Sequence, residues 1–221
     1  YAPQNILKDS LGFDAAITGL HYQFRQQWAG EPQAMICVWY VGTDLALSVQ
    51  PFSNEVPYYN YAQLNSQDVS AGNYWRWAYS VINNANFVIQ ALQDSTSLSG
   101  MSVTYRKSIE GEARFFRAYA FNFLSTLWGD VPIIDKPISA PRTNFVRNPV
   151  SEVLNFIISD LQFASVYCRD IAYISNTIKR EGRICKSAAQ QLLAEVYLRA
   201  NKPDLAEIQC NNIIYSKNFS L

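Results

Sequence analysis

One long stretch, residues 108–137, contains apolar residues at helical spacing followed by a signal that ends the helix. The apolar residues fall at alternating steps of four and three, which line one face of an α-helix: Ile109, Ala113, Phe116, Ala120, Phe123 and Leu127. Phe121 and Trp128 add a second apolar edge, so we expect this helix to lie between two neighbours. Gly129 and Pro132 then end it, because glycine accepts a left-handed cap and proline stops the helix from resuming.

Three helices are predicted before this central helix. The first is capped by Asp9 and ends near Gly30. Its apolar face consists of Leu11, Ala15, Leu20 and Phe24. The second begins at Pro32 and runs toward Leu47. The third has an apolar stripe formed by Trp75, Tyr79, Ile82, Asn86 and Ile89. Asn86 is the odd member, and because a buried amide needs partners we expect it to bind the backbone of a nearby loop.

An extended segment and a fifth helix follow the central helix. Residues 131–147 contain three prolines and no helical period, which predicts a segment that wraps over a surface. Asn148 and Pro149 then supply a cap and a first turn for the fifth helix. The apolar stripe of that helix consists of Val150, Leu154, Ile157, Leu161 and Ala164.

The last two predicted helices have the spacings of one tetratricopeptide unit. Ser187 and Gln190 are spaced as a capping box ahead of the sixth helix. Pro203 begins the seventh helix, which reaches about Tyr215. The hallmark positions of the unit are Leu193, Ala194, Tyr197, Asn201, Ala206, Cys210 and Ile213. Asn201 replaces the usual turn glycine, since asparagine tolerates the left-handed region.

The central and fifth helices would form a preceding pair, which places two tetratricopeptide-like pairs at about 105–165 and 187–216. The sequence therefore predicts an all-α fold, a tetratricopeptide-like right-handed stack of about seven helices with one long aromatic loop. That loop, residues 48–72, exceeds the usual length of a connection, and its aromatic content argues against disorder.

Two parts of the central stretch resemble a known family. EARFFRA at 112–118, followed by LWGDVP at 127–132, resembles the signature of the SusD/RagB family, the surface glycan-binding lipoproteins of Bacteroidetes-type outer membranes. A helix with E-x-x-x-x-R-A that leads into an aromatic-G-D-V-P stop is a specific combination. The pattern W-x-x-x-Y-x-x-I-x-x-x-N, which starts at Trp75, resembles the same family. So do Asp44, Arg147 and Asp160 with Leu161.

The resemblance implies a function and a location. It implies a cell-surface glycan-binding component of an outer-membrane polysaccharide uptake system, which captures oligosaccharide for a SusC-like TonB-dependent transporter. It also implies a surface-exposed lipoprotein of the outer membrane, in contact with the membrane only through an N-terminal lipid anchor absent from this chain. Family members are longer, so residues 1–221 would be their N-terminal helical domain, with the C-terminal portion absent.

The candidate ligand-binding residues come from the loop and the start of the third helix. Sugar recognition needs flat apolar faces beside hydrogen-bonding groups. We expect the ligand to be held by Phe52, Tyr58, Tyr59, Tyr61, Asn73, Arg76 and Trp77. The alternative is that the rings anchor the loop to the helices. We expect this anchoring role for Trp75 and Tyr79, and both interpretations stay open for Tyr58, Tyr59 and Trp77.

Other functions find less support in the sequence. A helical-repeat scaffold that holds a protein segment on its concave face is the alternative function. An all-α carbohydrate-active enzyme would need a carboxylate pair, but Glu110 and Glu112 point in different directions on one helix. His21 is the single histidine, and no G-x-S-x-G elbow accompanies it. We therefore expect no enzymatic activity and no cofactor, since Walker and dinucleotide fingerprints are absent as well.

Charge and cysteine content narrow the partners further. The 18 basic and 18 acidic residues balance and the basic ones are scattered, so we expect no nucleic acid. No apolar run approaches the length of a membrane span. The cysteines, Cys37, Cys168, Cys185 and Cys210, include no C-x-x-C pair, which disfavours zinc. We expect buried free thiols, although an even number also allows disulfides.

Overall fold

The computed structural model describes residues 6–29, 37–45, 56–93, 98, 100–171 and 182–219. The helices in these ranges are α1 (Ser10–Ala29), α2 (Cys37–Tyr40), α3 (Val56–Tyr59), α4 (Val69–Gln93), α5 (Val103–Trp128), α6 (Val150–Tyr167), α7 (Lys186–Arg199) and α8 (Pro203–Tyr215), with a 3₁₀ turn at Tyr61–Gln63. The described residues include no β-strand, and Val131 and Asn148 form an isolated antiparallel bridge. The predicted all-α class is confirmed.

Helix α5 lies at the centre of the fold, in contact with both α4 and α6. Helix α7 packs on α6, α8 packs on α7, and α1 contacts both α4 and α5. The predicted apolar stripe of α5 is buried from Ile109 to Phe123, and Phe121 on the second edge is buried as well. The expectation of a helix enclosed between neighbours is therefore confirmed.

Helix α5 ends at Gly129, as the sequence predicts. The φ of Gly129 is +68°, which confirms the predicted positive φ. Its ψ of −109° lies outside the left-handed helical region, so the predicted left-handed cap is wrong in this angle. The backbone turns here in a conformation that is strained for any residue with a Cβ. Glycine has none and adopts it without strain.

The segment after α5 closes onto the start of α6. The backbone N–H of Asn148 donates to the carbonyl of Val131 at 3.0 Å. This closure brings Asp130 to the first turn of α6, where its Oδ1 accepts the N–H of Val150 at 2.8 Å. A carboxylate at a helix N-terminus satisfies a free N–H group and interacts favourably with the helix dipole.

Asn148 does not cap α6, so this prediction is wrong. Its Oδ1 accepts the N–H of Ile133 at 3.0 Å, and its Nδ2 donates to the carboxylate of Glu152 at 3.0 Å. Pro149 takes the N-cap position and makes no side-chain cap bond. The amide of Asn148 is engaged by the extended segment instead, because the bridge to Val131 places that segment beside it.

The extended segment lies across α4, along residues 132–138. Three polar side chains of α4, spaced one turn apart, bond its backbone. The bonds join Tyr79 Oη to Pro132 O at 2.8 Å, Asn83 Oδ1 to Ile138 N at 2.8 Å and Asn86 Nδ2 to Ile134 O at 2.9 Å. The expected bond from Asn86 to a loop backbone is confirmed, and the segment wraps over a surface as predicted.

A buried ion pair joins α5 to α6. Arg117 is 4% exposed and Asp160 is 1% exposed, and two hydrogen bonds of 2.7 Å link the guanidinium to the two carboxylate oxygens. Nη1 of Arg117 also donates to Asn86 Oδ1 at 2.7 Å and to the carbonyl of Asp135 at 3.3 Å. Arg114 adds a bond of 3.0 Å to Asp160. Three helices and the extended segment therefore meet at one guanidinium.

A second ion pair joins α5 to α1 and to the segment before α7. Glu112 is fully buried, and its two oxygens accept from Nε and Nη2 of Arg183 at 3.0 and 2.9 Å. Nη1 of Arg183 donates to Asp14 at 2.8 Å. His21 Nε2 lies 3.6 Å from Glu112 Oε2. The glutamate of the EARFFRA run is thus occupied by a structural contact.

The predicted start of α1 is confirmed, and part of its predicted apolar face is wrong. Asp9 Oδ1 accepts the N–H of Gly12 at 2.8 Å, as a cap does. Leu11 and Ala15 are exposed. Leu20 is buried as predicted, and the core also receives Phe13 and Ile17, which the predicted face does not include. This alternative face buries more apolar area, which favours it over the predicted one.

The second predicted helix is shorter than expected. Helix α2 ends at Tyr40 and a turn runs on through Leu45, so the prediction that it approaches Leu47 is wrong. Gly42 has a φ of +82°, which is incompatible with a continuing helix. The predicted start at Pro32 lies outside the described residues.

The C-terminal pair is largely as predicted. Helix α7 begins at Lys186 after Cys185 at the N-cap, and Ser187 is buried inside the helix, so the capping box is wrong. Asn201 has a φ of +55°, which confirms its left-handed turn. Helix α8 begins at Pro203 as predicted. The tetratricopeptide assignment of the helix pairs stays a prediction.

The cysteines divide into two environments. Cys168 and Cys185 are buried free thiols, as expected, and burial raises the pKa of the Cys168 thiol. Cys210 is exposed, so its predicted burial is wrong. Helix α8 packs on α7, but Ala206 is its one buried residue, so this packing does not cover Cys210. The side chain of Cys37 lies outside the described part of the chain.

Replacement of Arg117 by methionine should destabilise the protein by about 3–5 kcal/mol, because it leaves the Asp160 carboxylate buried without its main partner. Urea unfolding followed by circular dichroism measures the change. Arg114→Met is the matched control and should cost less, because Arg117 still pairs with Asp160. Equal losses in the two variants would contradict the central role of Arg117.

Replacement of Gly129 by valine should destabilise the protein by about 1 kcal/mol or more, because a β-branched side chain is strained at positive φ. Thermal unfolding measures the change. Gly100→Val serves as the control, since a Cβ at this exposed position meets no atom within 4 Å. An unchanged melting curve for Gly129→Val would count against the assigned turn.

Candidate functional site

An aromatic hub surrounds Phe123, a buried residue of α5. Its members contact the Phe123 ring with centroid distances of 5.7 Å for Trp39, 6.2 Å for Tyr74, 5.3 Å for Trp77 and 6.5 Å for Trp128. The first three pack edge-on, which is a favourable arrangement of aromatic quadrupoles. The hub therefore joins α2 and α4 to the centre of the fold.

Tyr58 anchors the aromatic loop to the start of α4. It is buried, and its hydroxyl donates to Asp68 Oδ1 at 2.8 Å. The same oxygen accepts the N–H of Ala71 at 2.7 Å, which caps the first turn of α4. Burial, together with the Asp68 carboxylate, raises the pKa of Tyr58. The phenol consequently stays protonated and retains its bond to Asp68.

The turn after α2 lies directly against this loop. A Cβ on Gly42 would lie 2.0 Å from the carbonyl oxygen of Tyr58 and 3.1 Å from the hydroxyl oxygen of Tyr61. Only glycine permits so close an approach of two backbones. Residues 39–42, residues 58–61 and the first turns of α4 therefore form one contiguous surface.

The candidate ligand-binding residues occupy different depths of this surface. Tyr61 is 65% exposed and Tyr59 is half-buried. Arg76 is exposed, and its guanidinium donates to Oδ1 of the half-buried Asn73. Trp77 is half-buried, with its indole N–H donating to the carbonyl of Gln23 at 2.8 Å. The amide of Asn73 and the cation of Arg76 thus lie together on α4, with Asn73 one turn from Trp77, and the phenol of Tyr61 lies near Gly42.

Other aromatic residues occupy expected or unexpected places. Trp75 packs on Trp128 of α5 at 5.3 Å and Tyr79 bonds Pro132 of the extended segment, so these two contacts hold α4 to those parts of the chain, and the expected anchoring of the aromatic loop stays a prediction. Phe52 lies outside the described residues. The candidate list omits Trp39 and Tyr40, which are 36% and 39% exposed at the end of α2. Their signal in the sequence is an aromatic pair ahead of Gly42. The predicted helix that runs toward Leu47 includes this pair.

Catalytic and metal chemistry find little support in the described residues. They include no group of three His, Cys, Asp or Glu side chains that could hold a metal ion. Glu110 bonds Arg114 at 2.8 Å, and Glu112 is held by Arg183. Both carboxylates are therefore engaged in ion pairs. No helix in the described ranges combines the length and apolarity required to cross a membrane.

Comparison with known proteins gives a consistent result. The SusD-like model described as "Starch-binding associating with outer membrane" matches residues 46–198. The SusD-like protein P25 of Formosa agariphila is 25% identical over 174 residues, which cover 78% of this chain and 32% of the relative. A SusD-like protein of Bacteroides ovatus is 32% identical over 144 residues, or 62% of this chain and 24% of the relative.

Solved structures share the fold at lower sequence identity. A laminarin-binding SusD-like protein has a TM-score of 0.80 and 21% identity, and the match covers 93% of this chain and 43% of that one. A SusD-like carbohydrate-binding protein of Bacteroides fragilis also has a TM-score of 0.80, with 15% identity over 98% of this chain and 42% of that one. A crystal structure with a xylogluco-oligosaccharide has a TM-score of 0.72 and 22% identity, covering 95% and 41%. The chain spans well under half of these proteins.

Proposed function

The chain belongs to the SusD-like family, described as starch-binding and associating with the outer membrane, and from this premise we propose that it captures oligosaccharide at the cell surface. It would do so as the glycan-binding component of an outer-membrane polysaccharide uptake system. Relatives of the same fold bind laminarin or hold a xylogluco-oligosaccharide. Both ligands are glycans, which supports this class of ligand for the chain.

One structural observation carries the proposal. Trp39 and Trp77 are partly exposed rings that pack on Phe123, and Asn73, one turn of α4 before Trp77, accepts a hydrogen bond from the guanidinium of Arg76. Sugars present apolar ring faces and hydroxyl edges, so a binding surface needs both kinds of group. Rings fixed by packing lose little conformational entropy on binding. This makes the free energy of binding more favourable, even when each contact with the ligand is weak.

The proposed ligand-binding residues remain Phe52, Tyr58, Tyr59, Tyr61, Asn73, Arg76 and Trp77. Their exposure suggests different tasks within the set. Tyr61 is the most exposed aromatic ring among the described members and is suited to stack on a sugar face. Asn73 and Arg76 supply hydrogen bonds to hydroxyl groups, while Tyr58 and Trp77 are engaged by Asp68 and Gln23 and position the others. Trp39 and Tyr40 extend the set on the α2 side.

The partner would be a SusC-like TonB-dependent transporter, which receives the captured glycan. The protein would reach it as a surface lipoprotein held by an N-terminal lipid. The family description, which associates these proteins with the outer membrane, supports this placement. Mass spectrometry of the native cell-surface protein would detect the lipid and the full length together.

A second candidate function is a helical-repeat scaffold that binds protein, and one observation favours it. Helix α8 exposes several large apolar side chains: Leu205, Ile208, Ile214 and Tyr215. Exposed apolar surface of this kind is typical of protein interfaces. Pull-down from solubilised outer membranes separates the functions, since a transporter retained without any glycan affinity would favour the scaffold.

Tyr61→Ala should weaken glycan binding by about fivefold or more, since a stacking ring is worth about 1 kcal/mol. Isothermal titration against a panel of neutral oligosaccharides provides the measurement. We expect the unmodified protein to bind with a dissociation constant on the order of micromolar to millimolar. Arg76→Ala should also weaken binding.

Tyr215→Ala is the matched control, because this tyrosine is also largely exposed but lies on α8. It should leave the affinity unchanged. All variants are first shown to keep the melting temperature of the unmodified protein. If the affinity survives both Tyr61→Ala and Arg76→Ala, the glycan site lies elsewhere. Loss of glycan affinity in Tyr215→Ala would implicate the exposed apolar side chains of α8 instead.

A further inference from the structure

A groove of about 530 Å³ runs between α1 and α4, outside the aromatic loop. Its volume is within the range of small-ligand sites. Its floor and walls are formed mainly by apolar residues of the two helices and of the segment before α1: Ile6, Leu7, Ala15, Ala16, Gly19, Leu20 and Val88. Tyr22, Gln23, Gln26, Asn84 and Phe87 complete the lining. None of the predicted ligand-binding residues contributes to it.

Small residues of α1 create this groove. Ala15, Ala16 and Gly19 leave space where longer side chains would fill the gap between the helices. A Cβ on Gly19 would meet no atom within 4 Å, so the backbone of α1 is not packed closely there. Glycine inside a helix is less stabilising than alanine, because its backbone loses more conformational freedom on folding. The open space at Gly19 therefore persists at some expense of stability.

A row of amides forms the polar edge of the groove. Gln23 Nε2 donates to the hydroxyl of Ser80 at 3.2 Å, and Asn84 Nδ2 donates to Gln23 Oε1 at 3.0 Å. These bonds fix the orientation of both amides before any ligand arrives. A primary amide has two N–H donors and a carbonyl with two lone pairs, so each group retains capacity for a ligand. Gln26 adds a third, exposed amide.

The lining residues favour an uncharged occupant with alternating apolar and hydroxyl surface. All of the residues that line the groove are neutral, so nothing in it compensates an anion or a cation. Tyr22 is 60% exposed and Phe87 is half-buried, which places two aromatic rings beside the amides. A purely apolar peptide side chain would leave the amides unpaired, whereas a neutral sugar would satisfy both kinds of surface.

The groove adjoins Trp77, one of the proposed ligand-binding residues. The indole of Trp77 bonds the carbonyl of Gln23, whose side chain belongs to the amide row. Along α4, Arg76, Ser80 and Asn84 recur at steps of four and so lie on one face. Asn84 lies about 10 Å beyond Trp77 by the helical rise. One ligand of sufficient length can therefore reach both regions.

We propose that the α1–α4 groove is an additional subsite for a neutral oligosaccharide, which extends from the Tyr61–Trp77 surface and is held by Tyr22, Gln26 and Asn84. This inference rests on the proposed function, since it assigns the far end of the same glycan chain. It predicts that affinity depends on chain length. A short saccharide occupies the aromatic surface alone, and a longer one gains the contacts of the groove.

The test measures by isothermal titration the affinity for a disaccharide and for a hexasaccharide of the same neutral glycan. It is carried out once in the laminarin series and once in the xyloglucan series. The unmodified protein should bind the hexasaccharide about tenfold more tightly. Gly19→Leu places a side chain in the open groove and should remove this gain, while the affinity for the disaccharide stays unchanged. Thr18→Leu is the matched control, because the neighbouring residue is exposed and does not line the groove.

Tyr22→Ala provides a second variant that removes a contact instead of filling the space. It should reduce the gain from chain length without changing the melting temperature, since the ring is exposed. A length preference that persists in both Gly19→Leu and Tyr22→Ala would overturn the subsite and leave the proposed function intact. No binding of either length by the unmodified protein would overturn both.

Discussion

The fold depends on one buried guanidinium group, that of Arg117. It bonds the carboxylate of Asp160 on α6, the amide of Asn86 on α4 and the backbone of the extended segment at Asp135. A charge with 4% exposure is tolerated only when its hydrogen bonds are satisfied, so these partners must arrive together. Helix packing in the centre and the path of the extended segment are therefore coupled through a single side chain. Arg114, the neighbour one turn away, also bonds Asp160 and reinforces this coupling.

Much of the helical architecture was predictable, because apolar spacing records which face of a helix is buried. The stripe of α5 and the need of Asn86 for a backbone partner both followed from such local patterns. The pairing of Arg117 with Asp160 did not, because helical spacing gives no measure of depth for a charged residue. Asn148 failed as a cap for a related reason. A distant residue, Asp130, reaches the helix start only after the chain has folded back.

The sequence shows which residue types the candidate site contains, but it does not show how exposed each of them is. Tyr58 and Tyr61 are the same residue type within one short segment, yet one is buried against Asp68 and the other is 65% exposed. Nothing in the local sequence separates them, since their exposure is decided by contacts with α4 and with Gly42. Trp39 was overlooked for the converse reason: it was placed inside a longer helix, and the structure ends that helix one residue later.

The bridge between Val131 and Asn148 closes the neck of the extended segment, and bonds to α4 secure its first half. Residues 139–147, at its far end, are all exposed. Loop entropy rises only slowly with length, so a stretch anchored at both ends tolerates insertions at small cost. This tip is thus a natural position for grafting a tag, a fluorophore or a foreign epitope, with the helical scaffold acting as an inert carrier.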